Sequence, residues 1–98
     1  MKASLLTKLE ALADRHQEVE VLLSDAEVIN DQNRFRDLSV EFAHLNDVVA
    51  QYQRWQQLQA ELEGARQLLE DSDAEIKALA SEEVAEASAA SEEIESAL

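Results

Sequence analysis

The side chains in this sequence that could ligate a metal, move a proton or attack a carbonyl are few. They are two histidines, His16 and His44, the acidic pairs Glu82-Glu83 and Glu92-Glu93 with Glu86 between them, and the serines Ser88 and Ser91. None is arranged for that chemistry. Neither histidine has a second one a helical turn away, the spacing that lets two imidazoles share a metal on one helix face. No Asp-x-Asp-x-Asp-Gly loop exists to gather the glutamates around a divalent cation, so they read as a solvated face. The serines lie in an alanine-rich stretch with no histidine and aspartate placed to activate them, and they read as small packing residues. With no cysteine, thiolate metal sites, thiol nucleophiles and disulfides are excluded. An independent enzyme is therefore a poor reading, and neither cofactor nor metal is expected.

Partner recognition is the chemistry left. The chain carries 8 Lys and Arg against 22 Asp and Glu, a net charge of -14. Such a surface repels a phosphate backbone, which disfavours free DNA, and it repels anionic headgroups, which disfavours a membrane surface. Against this background Arg34, Arg36, Arg54 and Arg66 fall together on one helical stretch, a local basic strip able to touch an RNA backbone. The competing use is ordinary intrahelical pairing, Arg34 with Asp37 and Arg66 with Glu63 or Glu70. Tyr52 and Trp55, three residues apart, form either core or an anchor for a partner. The candidate partner contacts are thus Arg34, Arg36, Arg54 and Trp55.

The elements that must carry these residues are helices. There is no proline and one glycine, Gly64, and Leu, Ala, Glu and Gln dominate. From Leu5 the apolar seam runs through Leu9, Leu12, His16, Val19 and Leu23, predicting a first helix over about 2–23. Ser24-Asp25 interrupts it, with Ser24 or Asp25 as N-cap and Ser24 and Glu27 spaced as a capping box, and predicts a short helical turn at 26–29 that tucks Val28 and Ile29 against the first helix. Asp31 then caps a long helix over about 31–70, with Phe35, Leu38, Phe42, Leu45, Val49 and Tyr52 on its seam. Past Tyr52 the seam shifts to Trp55, Leu58, Leu62, Ala65 and Leu69, which rotates the buried stripe. Such a helix is a rod on the order of 60 Å long.

Ser72 or Asp73 caps a last helix over about 73–97. From Glu70 to Leu98 there are ten acids and one base, Lys77, a net of -9. Its seam is mostly Ala and Ser, which buries little area, so the helix is expected to fray toward Leu98. A chain that stops at Ile94 to Leu98 in mid-pattern reads as a piece of something longer. The predicted fold is all-α: an elongated antiparallel three-helix bundle, coiled-coil-like, with one long central helix, in a single domain over 1–98. The same stripes serve a partner in trans equally well, so both a monomer and a dimer are compatible with them. An acidic coiled-coil scaffold or adaptor is the plainest function compatible with the pattern.

Taken in order, certain segments resemble a known family. They are Leu9-Glu10-Ala11-Leu12, Arg15-His16, Glu18-Val19, Leu22-Leu23-Ser24-Asp25, Asn33-Arg34-Phe35-Arg36-Asp37-Leu38-Ser39, Glu41-Phe42-Ala43, Trp55-Gln56-Gln57 and Leu68-Leu69-Glu70-Asp71. Together they look like the N-terminal helical domain of bacterial peptide chain release factors. The Arg34-Phe35-Arg36-x-Leu38-Ser39 stretch favours the first type, which reads UAA and UAG. The resemblance implies a cytoplasmic translation-termination role, in which this domain reaches the stalk base of the large ribosomal subunit and communicates with the release-factor GTPase. The family's Gly-Gly-Gln hydrolysis motif and Pro-x-Thr codon-reading motif do not occur here, so the resemblance implies an interaction module that neither hydrolyses esters nor reads codons. Where family members often place a proline after the aspartate opening the last helix, this chain has Asp71-Ser72-Asp73.

Overall fold

A computed structural model describes all of residues 1–98 and shows four helices and no strand. They are α1 (Ala3–Leu22), α2 (Ala26–Ile29), α3 (Gln32–Leu68) and α4 (Ala74–Ala97). The all-α expectation with one long central helix is met: α3 has 37 residues, about 55 Å at ~1.5 Å per residue. Gly64 lies inside it without a positive φ, so the one glycine causes no break. No helix is long and apolar enough to cross a membrane.

The starts of α2, α3 and α4 each have a local chemical cause. The Asp25 carboxylate accepts the Glu27 backbone N–H at 2.8 Å and opens α2. Ser24 does not form the expected capping box; its hydroxyl donates back to the Glu20 carbonyl at 3.4 Å, a bond that keeps Ser24 attached to the end of α1. Asp31 opens α3 as predicted, its Oδ1 accepting the Arg34 N–H at 3.2 Å. Asp73 rather than Ser72 caps α4, accepting the Glu75 N–H at 2.9 Å, while its own N–H donates to Asp71 Oδ1 at 2.8 Å. The chain thus opens α4 through two successive aspartate turns, without proline.

The packing resolves into two compact units, Met1–Ala50 and Gln51–Leu98. The boundary falls where the apolar seam of α3 changes phase, between Val49 and Trp55. In the first unit α1 packs antiparallel on the N-terminal half of α3. Val19, Val28 and Leu38 form its buried cluster, supported by Leu22, Leu23 and Phe42. In the second, α4 packs antiparallel on the C-terminal half of α3, with Leu58, Leu62 and Ala87 buried and Val84, Ala90 and Ile94 against them.

Two expectations need correction. Ile29 does not tuck in with Val28: it is 52% exposed, because a four-residue helix has room for one inward side chain. Phe35, placed on the seam by its spacing, is 39% exposed; it sits in the first turn of α3, ahead of Leu38, the first buried residue of that helix. α4 runs through Ala97, and the Leu98 N–H donates to the Ile94 carbonyl at 3.0 Å. Small side chains at Ala80, Ala87 and Ser91, all buried, allow the backbone of α4 to approach α3 closely, so Leu58 and Leu62 are covered despite the small area per residue.

Candidate partner-contact surface

The clearest polar geometry in the molecule was not among the sequence candidates. Arg15 on α1 donates from Nε to Glu41 Oε2 at 2.6 Å and from Nη2 to Glu41 Oε1 at 2.8 Å, a two-pronged bond to α3. Its Nη1 also lies 3.2 Å from Glu18. The next residue, His16, stacks on Phe42 with ring centroids 4.7 Å apart, and its Nε2 lies 2.6 Å from Asn46 Oδ1. These residues fasten α1 to α3, which accounts for His16 without any ligand.

The Glu41 carboxyl is held below its ordinary range chiefly by the hydrogen bonds from Arg15, which outweigh partial desolvation, and also by the guanidinium charge. The same partnership raises Arg15. A carboxylate depressed in the folded state adds stability that is complete above its unfolded value and is lost as pH falls through its folded value. Acid titration of the melting temperature should therefore show a decline beginning below about pH 4.5, and Glu41→Gln should flatten part of that decline. An unchanged slope in Glu41→Gln would show that the pair adds nothing in solution, as many exposed pairs do.

The predicted contacts divide between the two units. Arg34 and Arg36 lie in the first, exposed on either side of the half-open Phe35. The expected pairing of Arg34 with Asp37 does not form, nor does that of Arg66 with Glu63 or Glu70, whereas Arg15 and Arg54 do form ion pairs. Asp31, the acid three residues before Arg34, is itself committed to the helix cap. Both guanidiniums of the Arg34-Phe35-Arg36 stretch are thus available to an outside anion.

Arg54 and Trp55 lie in the second unit and are tied down. Arg54 Nη1 donates to Gln57 Oε1 at 3.2 Å and lies 3.8 Å from Glu61. It borders a shallow cleft of about 410 Å³ whose other polar lining is Glu61, Glu83 and Glu86. An acidic cleft of this kind does not suit an anionic ligand. Trp55 is half-buried, its indole N–H donating to Glu95 Oε1 at 3.2 Å and its ring stacked on buried Tyr52 at 6.2 Å. Tyr52 is core and Trp55 is a packed bridge to α4. No group of three or more His, Asp or Glu side chains is placed to hold a metal ion. Ser91 is buried and accepts a hydrogen bond from Gln59 Nε2 at 2.7 Å, a packing role as expected.

What the surface offers is docking chemistry: a free pair of arginines around an aromatic ring at the start of α3, and acidic faces elsewhere. The helical pattern by itself is shared by many unrelated proteins, and here comparison with known families decides between them. The model of the PCRF domain matches residues 12–98, which takes in most of α1 and all of α2, α3 and α4. This chain belongs to the PCRF domain family and is of the release-factor type that acts in translation termination.

Proposed function

We propose that this domain is the ribosome-docking module of a type-one peptide chain release factor, acting in the cytoplasm at UAA and UAG. It engages the stalk base of the large subunit and communicates with the release-factor GTPase. Hydrolysis of peptidyl-tRNA and codon reading belong to other parts of such a factor, since no Gly-Gly-Gln and no Pro-x-Thr occur in these 98 residues. The observation that carries the reading is the family match over residues 12–98.

On this reading Arg34 and Arg36 are the residues available for ribosomal RNA, being exposed and without an ion pair. Two arginines contacting phosphate give affinity that falls as salt rises. The double variant Arg34→Glu, Arg36→Glu should weaken binding of this domain to purified large subunits by roughly tenfold or more, with a shallower salt dependence. Unchanged affinity would remove these arginines from the interface. Absence of any binding by the unaltered domain would instead favour an acidic scaffold over a ribosome-docking module.

A further inference from the structure

The second unit ends in an apolar surface that its own fold does not cover. Inward residues on α3 run Leu58, Leu62 and Ala65, and on α4 they run back from Ala87 through Val84 to Ala80. Ala65 and Ala80 make up the last buried pair. Both stripes nevertheless continue by one more step of four residues, to Leu69 in the turn just past the end of α3 and to Ile76 on α4, which are 37% and 36% exposed. Leu68 and Leu79 flank them at 46% and 64% exposed, and Ile76 and Leu79, three apart, are neighbours on α4. A core layer has been written into the sequence at the loop end of the helix pair, where the chain supplies nothing to close it.

The charge around this layer selects its partner. Between Leu68 and Glu83 there are six acids, Glu70, Asp71, Asp73, Glu75, Glu82 and Glu83, and one base, Lys77. None of the six is in an ion pair. Nucleic acid and anionic lipid are repelled by such a rim, and a second copy of a chain of charge -14 brings the same acids to the contact. A protein surface with an apolar centre and a border of Lys and Arg matches both features.

We propose that the loop end of the second unit, centred on Leu69, Ile76 and Leu79, is a docking surface for a protein of that chemistry. The proposal stands apart from the ribosome reading of Arg34 and Arg36, which lie in the other unit and suit RNA.

A fluorescent amphipathic peptide helix, leucine on one face and lysine on the other, serves as the probe against the 98-residue chain. Binding should be saturable, with methyl resonances of Leu68, Leu69, Ile76 and Leu79 shifting in isotope-edited spectra. A peptide with serine in place of leucine should bind at least tenfold more weakly. Ile76→Gln with Leu79→Gln should lose at least tenfold in affinity, while Val21→Gln, an exposed apolar site in the first unit, should lose none. All these positions are exposed, so helix content should not change. Equal binding by the serine peptide or by the Gln variant would overturn the proposal in favour of simple attraction between opposite charges. Dimerisation of the unaltered chain that Ile76→Gln with Leu79→Gln abolishes would overturn it in favour of a second copy, and tight binding of single-stranded RNA lost in that variant would overturn it in favour of nucleic acid.

Discussion

Leu58→Ala should unfold the second unit more readily than any other single truncation on α3, at a cost of about 2–5 kcal/mol. Leu58 is the largest of the fully buried side chains, and it shares a cluster with Leu62 and Ala87, with Val84, Ala90 and Ile94 packed against it. Alanine partners cannot swing in to fill a lost isobutyl group, so the hole persists and the cavity cost adds to the lost transfer energy. A chain this short has a total stability on the order of 5–10 kcal/mol, which makes the loss a large share of the whole. Trp55, the only tryptophan, sits one helical turn before Leu58 and bonds to α4 through Glu95. Its fluorescence therefore reports directly on whether α4 has separated from α3 in a urea titration. A midpoint shift equivalent to less than about 1 kcal/mol would show that α4 collapses into the space, and that its small-residue packing is more adaptable than its burial implies.

The contrast with Phe35 shows what could be read from the sequence and what could not. Periodicity located all four helices to within a residue or two, because the caps at Asp25, Asp31 and Asp73 and the runs between them are local chemistry. It also detected the phase shift near Tyr52, which the structure uses as the boundary between units. Depth is another matter. Spacing assigns Phe35 and Ile29 to apolar faces, but whether a neighbour is present at that height depends on where the partner helix ends, and α1 ends at Leu22. The same limit applies at Leu69 and Ile76, which continue the seams past the last buried layer.

Polar assignments followed the same division. Arg15 and Glu41 are 26 residues apart in the chain, and no i, i+3 or i, i+4 rule could pair them. The local rules that would pair Arg34 with Asp37 and Arg66 with Glu63 describe contacts worth only a few tenths of a kcal/mol on a helix surface, too little to determine a rotamer. Trp55 and Arg54 were legible as unusual residues. Their bonds to Glu95 and Glu61 depend on how α4 folds back and on the path of long side chains.

Val28→Asp should be the most damaging change in the first unit, with a loss above ~3 kcal/mol as a carboxylate is driven into an apolar site with no cation to meet it. Val28 is almost fully buried and joins Val19 and Leu38 in one cluster, so a residue of the four-residue α2 is what connects the end of α1 to the start of α3. An isolated helix of that length has no stability of its own. It persists here because Asp25 caps it and Val28 anchors it, and with the anchor charged, α2 should melt and release the link between α1 and α3. Arg15 is already engaged with Glu41 and Glu18, so it is poorly placed to neutralise the new charge. Loss of helical signal near 222 nm together with loss of the His16–Phe42 ring-current shifts would establish the effect. Val28→Ala provides the comparison, since it removes packing without adding charge and should cost only about 1–2 kcal/mol. Equal losses in the two variants would mean that the aspartate escapes to solvent by turning α2 outward, and that the short helix is a hinge rather than an anchor.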